Sequence, residues 1–286
     1  MNILITGCRG QLGSELQLLE EQHPQHTFFN TDVAELDITN KRAVERFVID
    51  HAIDGIVNCA AFTAVDRAEQ DQQLCGLLNT LAPGYLAAAI EQRGGWLIQI
   101  STDYVYDGTN HRPYREDDPV CPNSTYGRTK LSGEEEARRQ CSHTMIIRTA
   151  WLFSSFGNNF VKTMLRLGRE REELGVIFDQ IGTPTYARDL ASAIFAIISQ
   201  GVKPGVYHYS NEGVTSWYDF TKTIHRLAGI TTCHVRPLLT DEYPTPAARP
   251  HYSVLDKSKI KRDYALDIPY WEDSLSECIQ NHLLIP

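Results

Sequence analysis

Positive charge is in short supply. In 286 residues, 27 Lys and Arg stand against 36 Asp and Glu, a net charge of −9. A nucleic-acid binder carries a basic face, so no nucleic-acid partner is expected. Long apolar runs are missing too. The longest, such as Ala193–Ile198, fall far short of the roughly 20 residues of a membrane-spanning helix, so no membrane partner is expected either. The seven cysteines are odd in number, scattered, and form no Cys-x-x-Cys pair. That excludes a disulfide framework and a zinc ribbon, and it predicts reduced thiols in a cytoplasmic protein. The first strand begins at residue 2, which predicts no signal peptide. No His, Cys or carboxylate set has metal-ligand spacing. Repeats and low-complexity tracts are absent. A small anionic ligand stays allowed, because helix N-termini and a few local cations suffice to hold one.

What is present is alternation. With 42% hydrophobic and 22% charged residues the chain can build a full core. Strand-like runs at Asn2–Thr6, Thr27–Asp32, Gly55–Cys59, Trp96–Ser101 and Met145–Arg148 are separated by helical patterns. Those fall at Gln11 to about Glu21, Asn40–His51, Cys75–Arg93 and about Thr125–Arg139. The pattern predicts an α/β fold with a doubly wound parallel sheet, which binds ligands beyond the carboxyl ends of its strands. Further helices are expected at Asn159–Glu172, Tyr186–Gln200, Ser216–Ala228 and Trp271–Leu283, with another sheet strand at Gly205–Tyr209. Three prolines make Asp241–Pro250 irregular, as binding loops often are. The expected division is a dinucleotide-binding Rossmann domain over 1–148, with returns at about 184–210. A smaller substrate-binding lobe takes 149–183 and 211–286, mainly the C-terminal part.

Gly7, Gly10 and Gly13 follow the first strand directly and open a helix. Glycines there permit a tight turn and let backbone N–H groups approach a pyrophosphate at the helix N-terminus. The spacing is G-x-x-G-x-x-G. Asp32 closes the second strand, where a ribose hydroxyl needs an acceptor. That carboxylate favours NADH and repels a 2′-phosphate. Arg9, inside the turn, offsets the repulsion, so use of both NADPH and NADH is expected. Tyr126 and Lys130 lie four residues apart at a helix start, on one face. A cation beside a phenol favours the phenolate and brings it toward working range as an acid–base group. Tyr218 and Lys222 repeat the spacing. Only Tyr126 follows a strand end, Ser101-Thr102-Asp103, of the kind where ligands sit; Tyr218 lies among aromatics and reads as packing. Thr102 is placed to donate a second hydrogen bond to the oxygen that Tyr126 protonates, or else it is a plain strand-end residue.

The glycine turn, the Ser-Thr-Asp strand end and the Tyr-x-x-x-Lys pair together resemble the extended short-chain dehydrogenase/reductase family, over most of the chain. Further segments, among them Arg148–Trp151, Gly157–Phe160, Asp179–Thr185 and an Arg-Pro-x-x-Ser-x-Leu-Asp run over 249–256, are similar to members that reduce a 4-keto sugar carried on dTDP. The resemblance implies that Gly7, Arg9, Gly10, Gln11, Leu12 and Gly13 surround the cofactor pyrophosphate and nearby groups. Asp32 would meet the ribose, Asp37 and Ile38 the adenine, and Ala61, Phe62 and Thr63 the third strand's side. Phe62 is a departure, since relatives often carry His there. Thr102, Tyr126 and Lys130 would be catalytic, with Tyr126 and Lys130 also touching the cofactor. Thr102, Asp103, Trp151 and Arg249 would face the dTDP-sugar. Trp151 also reads as core filler and Arg249 as a solvated loop charge. Glu15 and Asp189 offer carboxylates for Mg2+ at a surface contact, against an ordinary solvated role. A homodimer is the one assembly allowed for. An epimerase or a 4,6-dehydratase of the family would keep its NAD tightly bound, and a dehydratase carries a glutamate for its elimination after the aspartate, where this chain has Tyr104 after Asp103. A non-catalytic relative, such as the regulatory subunit of methionine adenosyltransferase, would not need the intact Thr102/Tyr126/Lys130 set.

Overall fold

The computed structural model describes residues 1–283. Five strands, β1 (Asn2–Thr6), β2 (Thr27–Thr31), β3 (Gly55–Asn58), β4 (Trp96–Thr102) and β5 (Thr144–Thr149), join the strand Gly205–His208 in one sheet. Every pairing in it is parallel. The order runs from Gly205–His208 through β5, β4, β3 and β1 to β2. The chain leaves β1 to one side for β2 and returns on the other for β3. That reversal opens a crevice at the carboxyl ends of β1 and β3.

Both faces of the sheet are covered, so its strands are apolar throughout rather than alternating. Ile3 and Ile5 face a layer that includes Leu16, Leu190, Ile194 and Ile260. Leu4 and Ile56 face the opposite layer, with Val44, Val48, Leu86 and Ile90. Residues 258–268, within the span expected to be substrate lobe, return to the sheet: Ile260, Tyr264 and Ile268 lie in its core.

The segment Gln72–Glu91 departs from a plain helix. It is α-helical over Gln72–Gly76, π-helical over Leu77–Leu81, and α-helical again over Ala82–Glu91. By length and composition it could cross a membrane, which the search for apolar runs did not foresee. Here it is a core helix, with Leu86, Ala87 and Ile90 fully buried.

The smaller lobe has its own core of Phe153, Leu165, Val176, Tyr186, Phe220 and Leu275. Two strands not expected from the sequence, Glu173–Ile177 and His234–Leu238, pair there in parallel. Asp241–Pro250 is irregular beyond a single turn of 3-10 helix at Thr240–Glu242. His23 and His26 are partly buried: His23 stacks on Phe195 with ring centroids 4.2 Å apart.

Candidate active site

A cleft of about 880 Å³ opens over the carboxyl ends of the sheet. Its size is that of a small-molecule site. It is lined by Gly7, Gly10, Gln11, Leu12, Gly13, Asp32, Asp37, Ile38, Ala61, Thr63, Thr102, Asp103, Tyr126, Lys130 and Trp151. Three residues expected in the site do not line it. They are Arg9, Phe62 and Arg249.

At the β1 end, Gly7 has φ +67°, and a Cβ there would come within 2.7 Å of the Ala60 backbone nitrogen. A Cβ on Gly13 would meet the Gly7 carbonyl at 2.4 Å. The turn therefore tolerates only glycine at these points, and it ends on Gly10 at the start of the helix Gln11–Leu19. Backbone free of side chains at a helix N-terminus is what a pyrophosphate requires, so the residues present fit a dinucleotide. Asp32 accepts hydrogen bonds from the Val33 N–H at 2.8 Å and the Arg9 N–H at 3.3 Å. The Arg9 side chain does not stand free. Its guanidinium pairs with Glu35.

At the β4 end, the helix Thr125–Gln140 brings in Tyr126 and Lys130. Ser124 caps it, its Oγ accepting from the Gly127 N–H at 3.1 Å. Glu69 holds the first residue, accepting from the Thr125 N–H and hydroxyl, both at 2.7 Å. Arg138 and Arg139 in the last turn suit the negative end of the dipole. The buried face carries Gly127, Lys130, Gly133, Glu134 and Ala137. Lys130 is thereby drawn inside, where its ammonium donates to the Ile100 carbonyl at 2.6 Å. Burial pushes Lys130 down to about 8, opposed mainly by the Glu134 carboxylate one turn further on. Burial also pushes the Tyr126 phenol up, while the Thr102 hydroxyl pulls it down. The expected lowering by Lys130 is not among the causes: burial dominates and keeps the phenol protonated, as a proton donor must be. Thr102 donates to Asp103 Oδ1 at 3.0 Å, and burial brings Asp103 up to about 6 against hydrogen bonds from Ser253 and Thr102.

Trp151 forms the opposite wall. It has φ +49°, an uncommon conformation for a bulky residue. Its indole lies flat on Trp217, centroids 3.4 Å apart and planes 8° apart. Phe62 is buried in a small cluster with Ala68 and Cys75. Arg249 donates to Asp66 Oδ2 at 2.8 Å and to the Ala247 carbonyl at 3.1 Å. Tyr218 packs against the smaller lobe's core and Lys222 is exposed, so the second Tyr-x-x-x-Lys pair stays out of the cleft.

The chain matches the family model of the RmlD substrate binding domain over residues 1–284. It belongs to the RmlD substrate binding domain family. Among RmlD relatives, the dTDP-4-dehydrorhamnose reductase of Salmonella typhimurium is 40% identical over 285 residues, covering 95% of each chain. The spore coat polysaccharide biosynthesis protein SpsK of Bacillus subtilis is 38% identical, over 97% of this chain and 96% of that protein. The crystal structure of a dTDP-4-dehydrorhamnose reductase from Clostridium acetobutylicum superposes with a TM-score of 0.94 at 44% identity, over 98% of this chain and 99% of that one. A reductase of the same name from Bacillus anthracis, solved in complex with NADP, gives 0.93 at 39% identity over 98% and 99%.

Four residues that line or support the cleft carry no mark in the sequence. Asn79 sits in the π-helical turn and fixes the Phe62 backbone from both sides, accepting from its N–H at 2.8 Å and donating to its carbonyl at 3.1 Å. Asn159 donates to Gln11 Oε1 at 3.0 Å, across the cleft mouth. Glu69 and Ser253 act through Thr125 and Asp103. Each partner is remote in sequence, so no local signal marks them. Of the two carboxylates read as solvated or metal-binding, Glu15 is buried and Asp189 half-buried, and both are engaged by neighbouring side chains. Glu15 accepts from the Ser154 hydroxyl at 2.6 Å and faces Arg188 at 3.5 Å. Asp189 accepts from Asn211 and Ser274, both at 2.6 Å.

Proposed function

We propose that the protein reduces the 4-keto group of dTDP-4-dehydro-L-rhamnose, giving dTDP-L-rhamnose, a precursor of cell-surface polysaccharide. The observation that carries this reading is the meeting of Tyr126, Lys130 and Thr102 with the glycine turn in one cleft. Its closest support from relatives is that full-length reductases of that name are 40% identical.

A nicotinamide dinucleotide, NADPH or NADH, supplies the hydride when bound. The chain does the rest. Tyr126 Oη gives its proton to the sugar oxygen as charge develops there. The Thr102 hydroxyl, turning its one hydrogen away from Asp103, offers a second donor to the same oxygen. Lys130, held by the Ile100 carbonyl, eases the phenol's loss of a proton and reaches the ribose hydroxyls. Asp103, Trp151 and Arg249 take the sugar nucleotide, with Arg249 exchanging Asp66 for a phosphate oxygen. Residues 1–148, with 184–210 and the returning 258–268 segment, hold the dinucleotide. The remainder holds the sugar.

The test is to mix the purified protein with NADPH or NADH and dTDP-4-dehydro-L-rhamnose and follow the nicotinamide absorbance. Substrate-dependent loss of absorbance with formation of dTDP-L-rhamnose is expected. Epimerisation or elimination without net oxidation of the nicotinamide would overturn the proposal in favour of the related epimerases and dehydratases.

A further inference from the structure

Arg9 and Glu35 face each other beside the ribose end of the cleft. The Arg9 guanidinium pairs with Glu35 Oε1. The other oxygen of Glu35 accepts from the Asp32 N–H at 3.0 Å. One carboxylate therefore holds both the cation of the glycine turn and the backbone of the residue that receives the ribose. Asp32 in turn accepts from the Arg9 N–H at 3.3 Å, which closes a three-residue ring. In that ring one positive charge stands between two negative ones.

We propose that Glu35 is a specificity-determining residue for the nicotinamide dinucleotide. Resting on the reductase reading above, the inference is that Glu35 restrains NADP(H) use by tethering Arg9. A 2′-phosphate entering beside Asp32 brings negative charge to a place that already holds two carboxylates. Its natural partner is Arg9, since a guanidinium forks onto phosphate oxygens. To reach it, Arg9 must leave Glu35, and Glu35 is then an uncompensated neighbour of the phosphate. An unphosphorylated ribose asks for neither change. All three side chains are at least partly exposed, so the effect is modest and salt-dependent rather than absolute.

Glu35→Gln tests this while keeping a side chain of the same shape to meet the Asp32 N–H. NAD+ and NADP+ affinities of the full chain are measured by calorimetry, without sugar. Glu35→Gln is expected to shift the affinity ratio toward NADP+ by roughly fivefold, the scale of an exposed charge pair. Arg9→Ala placed on Glu35→Gln is expected to remove most of that gain. A ratio within about twofold of the parent's in Glu35→Gln would overturn the inference, as would full retention of the gain without Arg9. If the parent binds neither dinucleotide, the reductase reading fails and this inference with it. Binding with an unmoved ratio sinks the inference alone.

Discussion

Glu134 meets Arg148 beside β4, accepting from Nε at 3.0 Å and from Nη2 at 2.7 Å, with both side chains almost wholly buried. The same carboxylate takes the Ser101 hydroxyl, and Arg148 Nη1 donates to the Tyr106 oxygen at 2.7 Å. Glu134 lies one turn beyond Lys130. The pair thus ties the helix of Tyr126 and Lys130 to β4, which ends on Thr102, and to β5. Breaking a buried pair by removing one partner leaves an uncompensated charge and typically costs about 3–5 kcal/mol. Arg148→Met should lose about that much in urea unfolding, and Glu134→Gln added to it should recover part. Equal stability of Arg148→Met and the parent would refute the role.

Tyr126→Phe should remove turnover by ~10²–10⁴-fold, the usual contribution of a positioned acid, while dinucleotide binding stays near normal. Tyr218→Phe should change neither. The reverse pattern in steady-state kinetics and calorimetry would mean that the wrong pair has been chosen.

Lys130 sets a pH limit. With burial holding it at about 8 in the folded chain, its ammonium is lost on the alkaline side of that value. Turnover and dinucleotide affinity should therefore both fall as pH rises through about 8. In the unfolded chain the lysine keeps its proton to about 10.4. The unfolded state thus binds more protons between these values, so Lys130's unfavourable contribution to stability is full below about 8 and is relieved as pH rises to about 10.4. Lys130→Met should lower both turnover and dinucleotide affinity and abolish the alkaline step in affinity. A step that persists in Lys130→Met belongs to another group.

Arg249→Ala should weaken binding of dTDP and spare dinucleotide binding. Loss of a charged hydrogen-bond partner costs roughly 1.5–3 kcal/mol. Calorimetry that returns equal dTDP affinity for variant and parent would confine Arg249 to its pair with Asp66.

The sheet is legible because buried parallel strands are near-continuous apolar runs bounded by glycine, asparagine and aspartate. β1 matches its expected span, and β2 and β3 each end one residue early. The helix Thr125–Gln140 is legible from its pattern and the Tyr126/Lys130 spacing. The strands Glu173–Ile177 and His234–Leu238 are not, since Gly175 and Pro237 argue locally against them and their pairing spans some sixty residues. The π-helical turn is equally hidden, because what Asn79 holds is the backbone of Phe62. Arg9 and Arg249 are legible as cations near anions, but not the carboxylates, Glu35 and Asp66, that engage them. The partners of Glu15 and Asp189 are Ser154, Asn211 and Ser274, which the fold brings from far along the chain.

The stacked indoles of Trp151 and Trp217 give the protein an optical property of its own. The chain has four tryptophans, and these two lie nearly parallel at 3.4 Å. Aromatic transitions so close mix, and where their moments are rotated within the stacked planes they give a coupled circular-dichroism band that neither indole shows alone. Trp151 is also a wall of the cleft. A molecule pressing on that wall perturbs the band, so occupancy of the cleft beside Trp151 can be read from the unlabelled protein.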